Sequence, residues 1–392
     1  MTNTLLQTVR ENRLSYLLMG GHICVDICQG GLAAALPFLI AACDYTYAEA
    51  TLLIFMSNVA SAVIQPLFGW LGDRKPRPWF MALGGLLAGL GMAGLGVFGN
   101  YWIIATSAMI SGMGVAMLHP EGGRLANLVA QHSKEGGVSI FSVGGQIGFC
   151  LGPIITATAC SLWGIRGLLI YLVFCVPYAI LLLTRNARLA AFGLQDKAAI
   201  AATDGHDHWG SFSLVLTSLS MRSIVYYGIT SFVPLFMIAF FAFSESEGSL
   251  VVSLFALAGA VATILSSKAA EKTGTPRLMV LCFAATILLV LAFTFSPSAA
   301  LCCAVVMLLA FAVNLFNPPA IALGQGFVPH HLGMASGLTF GVAVCVGGVV
   351  EPLLGLLGDA QGLQVVMLVV AGVAAFGLVL SCFVARAVKR SR

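Results

Sequence analysis

A few ionisable residues stand inside long apolar runs, and their spacing gives this chain a chemistry. His22 and Asp26 are four residues apart, so on a helix both project from one face. A carboxylate midway along a membrane span costs a few kcal/mol on insertion scales, which makes it face a partner or a watery cavity. Asp26 is therefore a candidate proton carrier with His22 tuning or relaying, the alternative being a fixed pair that fastens helices. Glu121 and Arg124, three residues apart, again share one helical face. They form either a structural ion pair or a coupling site, with Glu121 as a further proton-coupling candidate. Arg222 lies about ten residues inside another apolar run, too deep for easy snorkelling. Its guanidinium suits two-pronged capture of a carboxylate, phosphonate or phosphate, or else serves as a permanent counter-ion for Asp26. Tyr226 follows Arg222 by one turn, and His119, Gln29, Arg124 and Gln146 complete the candidate substrate-binding set. Glu351 is a possible second proton site, or a wet residue in an outer vestibule.

Such residues need elements to hold them in grease. Of the 392 residues, 59% are hydrophobic and 9% charged. A soluble domain carries roughly a quarter charged residues, so this is a polytopic membrane protein. Twelve apolar segments can be marked between residues 14 and 385. Most are long enough to cross about 30 Å of hydrocarbon as helices, and open strands could not satisfy their backbone there. The expected fold class is all-α, with twelve transmembrane helices in two six-helix bundles. No nucleophile–base pair, phosphate loop or HExxH motif appears, so an enzyme is not expected. The net charge of +4 comes from bases in the loops, which reads as topology and not as nucleic-acid binding. No cofactor is expected. The eleven cysteines lack paired spacing and read as small packing residues. The run Asp204-Gly-His-Asp-His208 reads as a solvated loop, with no metal.

The two halves repeat. Asp73 answers Glu271, His119-Pro120 answers Asn317-Pro318, Pro37 answers Pro234 and Pro153 answers Pro352, all at an offset of about 198 residues. This divides the chain into a first bundle over 1–184, a cytoplasmic linker over 185–210 and a second bundle over 211–392. Arg10, Arg13, Arg74, Lys75, Arg77, Lys134, Arg185, Arg188, Lys268, Lys272 and the C-terminal bases fall on one side if the spans alternate, which places both termini in the cytoplasm. The polar N-terminal stretch reads as lacking a removable signal peptide. Parallel six-span repeats point to a carrier with its site at the midplane, and a monomer is expected.

The stretch Gly69-Trp-Leu-Gly72-Asp73-Arg74-Lys75-Pro76-Arg77 resembles the loop signature of the major facilitator superfamily, with Pro76 where a small residue is usual. The resemblance implies a conformational latch of Gly69, Gly72, Asp73, Arg74 and Arg77 at the cytoplasmic helix ends. Gly148-x-x-x-Gly152-Pro153 resembles the superfamily's antiporter signature, which is associated with export. Small residues at that spacing let helices approach closely, and Pro153 frees a backbone carbonyl. His22-x-x-x-Asp26, His119-Pro-Glu-Gly-Gly-Arg124, Phe141-Ser-Val-Gly-Gly145 and Arg222-Ser-x-x-Tyr226 are together similar to the fosmidomycin-resistance branch. Glu351 is a departure from that branch. The resemblance implies a proton-coupled antiporter in a bacterial inner membrane. It would export a small anionic or zwitterionic drug or metabolite by alternating access, with substrate, protons and the lipid bilayer as its partners. The alternative on the same fold is an importer or facilitator of a small metabolite.

Overall fold

The computed structural model describes residues 13–45, 47–97, 99–129, 134–201, 206–243 and 245–390. The N-terminal stretch with Arg10, the pair Asp204–Gly205 and Arg392 lie outside the described residues, so the readings placed on them stay with the sequence. The α-helices among the described residues are numbered α1 to α14 in chain order. In the first half these are α1 (Arg13–Cys43), α2 (Tyr47–Arg74), α3 (Trp79–Leu95), α4 (Tyr101–Leu128), α5 (Lys134–Trp163) and, after a 3₁₀ turn, α6 (Ile170–Ala201). The second half begins with α7 (Trp209–Phe241), α8 (Glu245–Thr273) and α9 (Thr275–Thr294). Its tenth span is broken into α10 (Ala299–Asn314) and α11 (Asn317–Phe327), since Pro318 and Pro319 can only open a helix at that point. The eleventh is built of α12 (Leu332–Gly337), a π-helical turn (Leu338–Val342) and α13 (Ala343–Gln361), and α14 (Leu363–Arg390) is the twelfth.

Among the described residues ten segments are long and apolar enough to cross a bilayer; one of them, Gly136–Leu194, has 59 residues and takes in most of both α5 and α6. The apolar α3 has 17 residues and completes the count of twelve. No strand occurs among the described residues. Large apolar side chains such as Val63, Trp102 and Leu288 lie about two-thirds exposed or more, as lipid-facing positions should.

The chain divides into two compact units, Met1–His206 with Pro329–Gly341, and Asp207–Val328 with Val342–Arg392. The division falls within the interval expected as a linker, but most of that interval is not loop: α6 runs on through 185–201 to Ala201. The residues 329–341 also depart from the expected 211–392 bundle and pack in the first unit. The cause is local. Gly333 N–H and Met334 N–H donate to the two carboxylate oxygens of Asp73, at 2.6 and 2.9 Å. Beyond them, Gly337 lies flush against the Gln65 carbonyl, where a Cβ would come within 2.7 Å.

Candidate functional site

Three helices of the first unit, α1, α4 and α5, meet at Asp26. The α4 helix is started by Asn100, whose side chain accepts hydrogen bonds from Trp102 N–H and Ile103 N–H at 2.9 and 3.4 Å. It then runs through Pro120 and carries His119, Glu121 and Arg124, all buried. His22 Nε2 lies 3.1 Å from Asp26 Oδ2 on the same helix, and His119 Nε2 lies 3.3 Å from Asp26 Oδ1. The first contact realises the expected face-sharing pair. The second places His119 beside Asp26.

The proton inventory of this cluster follows from hydrogen-bond valence. His22 Nδ1 lies 2.7 Å from the Phe141 carbonyl oxygen, which can only accept, so Nδ1 carries a hydrogen. In a neutral ring Nε2 then holds a lone pair, and a lone pair 3.1 Å from a carboxylate oxygen repels it. One proton on either atom turns that repulsion into a hydrogen bond, charge-assisted when the nitrogen holds the proton. His119 meets Oδ1 at ion-pair distance without the direction of a good hydrogen bond, and Asp26 Oδ1 and His119 Nδ1 have no hydrogen-bond partner among the described residues. The three groups thus have room for one further proton and several atoms able to receive it. The same three residues offer nitrogen and oxygen ligand atoms that all lie within 4.8 Å of one another, a set that could also hold a metal ion.

The glycines of α5 set the depth of this cluster. Gly145, Gly148 and Gly152 face α1, and a Cβ on Gly145 would stand 2.8 Å from Asp26 Oδ2 and from His22 Nε2. A Cβ on Gly152 would meet the Ile27 carbonyl at 2.5 Å. The antiporter-like stretch is therefore the surface on which the Asp26 turn of α1 rests, and Pro153 follows within the same helix. Gln29 and Gln146 are half-buried on α1 and α5. His22 stacks on the Phe141 ring at 4.1 Å between centroids.

Glu121 and Arg124 form a two-pronged pair: Arg124 Nη2 donates to Oε1 at 2.8 Å and Nε donates to Oε2 at 3.1 Å. Both are buried. Arg77 N–H donates to the same Oε1 at 3.2 Å, and a Cβ on Gly72 would strike Oε2 at 2.7 Å. The pair is thereby joined to the latch sequence. Within the latch, Asp73 receives the Gly333 and Met334 amides, Gly69 lets α2 approach the Gly333–Met334 backbone, and Arg74 lies over the Trp70 ring at 3.7 Å. Arg77 faces the Phe80 ring at 5.5 Å.

In the second unit Arg222 is buried on α7. Its Nε donates to the Val313 carbonyl at 2.9 Å, its Nη2 donates to Asn314 Oδ1 at 2.7 Å, and its guanidinium lies 5.1 Å from the Tyr226 ring centre. The neutral partners come from the end of α10, where the tenth span breaks and leaves a carbonyl to accept. Among the described residues Arg222 forms no ion pair. Its positive charge is oriented by neutral groups and left unneutralised by them. Glu351 on α13 accepts a short hydrogen bond from Ser231 Oγ on α7.

Several contributors escape a sequence reading. The Phe141 carbonyl and the Val313 carbonyl act through the main chain, which any side chain could accompany. Phe340, whose ring lies 6.0 Å from His22 and 6.1 Å from His119, comes from the opposite repeat. Asn314 is a neutral polar residue in an apolar run, with nothing beside it in the sequence to mark Arg222 as its partner.

The comparisons with known proteins agree with this architecture. The chain is 26% identical over 371 residues to the uncharacterized MFS-type transporter YfnC of Bacillus subtilis (strain 168), covering 91% of this chain and 89% of that protein. It is 25% identical over 367 residues to the fosmidomycin resistance protein of Escherichia coli (strain K12), covering 90% and 89%. Among solved structures, the human organic anion transporter MFSD10 (TETRAN) superposes with a TM-score of 0.76 at 15% identity, covering 95% of this chain and 99% of that one. The E. coli fucose:proton symporter FucP gives 0.72 at 12% identity with the same coverage. The family model described as Major Facilitator Superfamily matches residues 18–352 and 215–392. With both repeats so matched, on an all-α fold of twelve spans, the chain belongs to the Major Facilitator Superfamily and is a multi-pass membrane transporter, not an enzyme.

Proposed function

We propose that this transporter is a proton-coupled antiporter that exports a small anionic or zwitterionic drug or metabolite by alternating access. The observation that carries the reading is the His22–Asp26–His119 cluster, buried in apolar helices and one proton short of satisfied hydrogen bonding. Asp26 is the carrier, His22 shares its proton and His119 receives its second oxygen. Arg222, steered by Val313 and Asn314, takes the anionic group of the substrate, with Tyr226 beside it. Coupling requires that proton and substrate favour different states, since a ligand binding both equally shifts nothing. The relative named for fosmidomycin resistance supports export, and the bacterial relatives support a cytoplasmic membrane. The bases in alternate loops support cytoplasmic termini. The protein acts as a monomer.

A second reading, an importer or facilitator, has support in the fold it shares with a fucose:proton symporter. One experiment separates the two. Purified protein is placed in proteoliposomes with an internal pH dye, and fosmidomycin and a panel of small phosphonates and carboxylates are added in turn. Antiport moves protons opposite to substrate, and Asp26→Asn abolishes that movement while the protein still inserts. Undiminished proton movement in Asp26→Asn sinks the proton site, and co-directional movement selects the importer.

A further inference from the structure

We propose that Phe340 is a plug that closes the His22–Asp26–His119 cluster, and that the π-helical turn carrying it is the device that withdraws it. The inference rests on the proton-site reading above. Its starting point is the notch left by Gly123 on α4, into which the Phe340 ring fits so closely that a Cβ on Gly123 would stand 2.8 Å from the ring. From this notch the ring lies parallel to His119 at 6.1 Å, edge-on to His22 at 6.0 Å and edge-on to Phe141 at 5.5 Å. Phe340 and Phe141 together set aromatic faces against the two imidazoles. Asp26 is faced by His22 and Cys28 on its own helix and by His119 on α4. From α5 it meets Gly145, and the Phe141 and Phe340 rings cover its imidazole partners; none of these three titrates. Among the described residues no other ionisable group is placed against Asp26, and the Phe340 ring stands over both of its imidazole partners.

The turn that carries the ring is irregular. Residues Leu338–Val342 adopt a π-helix between the α-helical stretches α12 and α13. A π turn holds one residue more than an α turn, so relaxing it rotates the residues it contains about the helix axis. The turn is pinned on the first-unit side: Gly337 abuts the Gln65 carbonyl, Gly341 abuts the Gln65 side-chain oxygen, and Thr339 Oγ1 donates to the Ala335 carbonyl at 2.8 Å. It is also where the chain passes from one unit to the other, since Gly341 belongs to the first and Val342 to the second. Relaxation of this turn is the step that withdraws the plug.

The test has one readout that does not depend on transport. The full-length protein in proteoliposomes is treated with diethyl pyrocarbonate, and carbethoxylation of each histidine is followed by mass spectrometry. Phe340→Ala is expected to speed modification of His22 and His119 on the order of tenfold while the exposed His206 and His208 react as before. Phe340→Leu, which refills the notch with an apolar group, should restore most of the protection. The same Phe340→Ala protein should leak protons after an acid jump with no substrate present, and the leak should vanish in the Asp26→Asn double variant. Unchanged labelling of both histidines in Phe340→Ala overturns the plug, as does equal acceleration at His206 and His208, which would report general loosening. If Phe340→Ala unshields the histidines but the Asp26→Asn change leaves substrate-driven proton movement intact, the plug stands and the proton-site reading falls.

Discussion

Gly148 lies so near Asp26 that one added methyl group would come within 2.6 Å of the aspartate Cβ. The small residue in the antiporter-like stretch is thus a statement about where a carboxylate on the neighbouring helix may sit. Gly148→Ala should push the Asp26 turn of α1 outward. Overpacking of this kind costs about 1–3 kcal/mol. The variant is expected to melt a few degrees lower and to lose most of its substrate-driven proton movement. Gly348→Ala, where a Cβ meets nothing within 4 Å, is the matched control and should behave as the wild type.

Asp73 offers a prediction about local order. Its two oxygens accept from the Gly333 and Met334 amides, and hydrogen bonds to a charged group contribute about 1.5–3 kcal/mol each. Asp73→Ala should quicken hydrogen exchange in the peptide 332–341 by on the order of 10- to 100-fold. Unaltered exchange there would show that the latch aspartate does not hold α12.

The buried Glu121–Arg124 pair should be costly to break and cheap to replace. Glu121→Gln removes the carboxylate that grips the guanidinium with both oxygens, for a loss of about 3 kcal/mol. Replacing both residues together, Glu121→Gln with Arg124→Met, should recover a substantial part of it. Thermal unfolding in detergent measures both; a double variant less stable than the single one would contradict this account.

Arg222 should tolerate neither truncation nor a change of headgroup. Arg222→Lys keeps a positive charge but loses the fork that donates to Val313 and Asn314 at once. An increase in KM of about tenfold for an anionic substrate is expected, with a smaller change in kcat. Arg222→Ala should abolish anion transport altogether. Equal KM values for Arg222→Lys and the wild type would remove Arg222 from the binding site.

Helical periodicity made half of the Asp26 cluster readable. His22 with Asp26, and Glu121 with Arg124, are neighbours one turn apart, and such pairs are fixed by local geometry alone. The glycines of α5 were readable as a close crossing for the same reason. His119 was not assignable to Asp26 because that contact joins α1 to α4, and nothing in either segment encodes the relative rotation of two helices. The Arg222 partners were open for a similar reason: one of them is a main-chain carbonyl released by the break between α10 and α11. The extension of α6 through 185–201 ran against the hydrophilic character of that interval, since polar residues continue a helix readily once it has left the bilayer. The π turn has no side-chain signature at all, and Phe340 looked like one more apolar residue in an apolar span.

The placement of residues 329–341 in the first unit bears on how the chain could be divided. A sequence repeat suggests two interchangeable modules that could be made as separate polypeptides, cut between 206 and 207. The first of those fragments would lack the amides that cap Asp73, the backbone that fills the surface over Gly69 and the aromatic ring beside His119. It would be an unfinished fold, completed only by a loan from its twin. In this chain the segment 329–341 ties the second half of the sequence to the first unit.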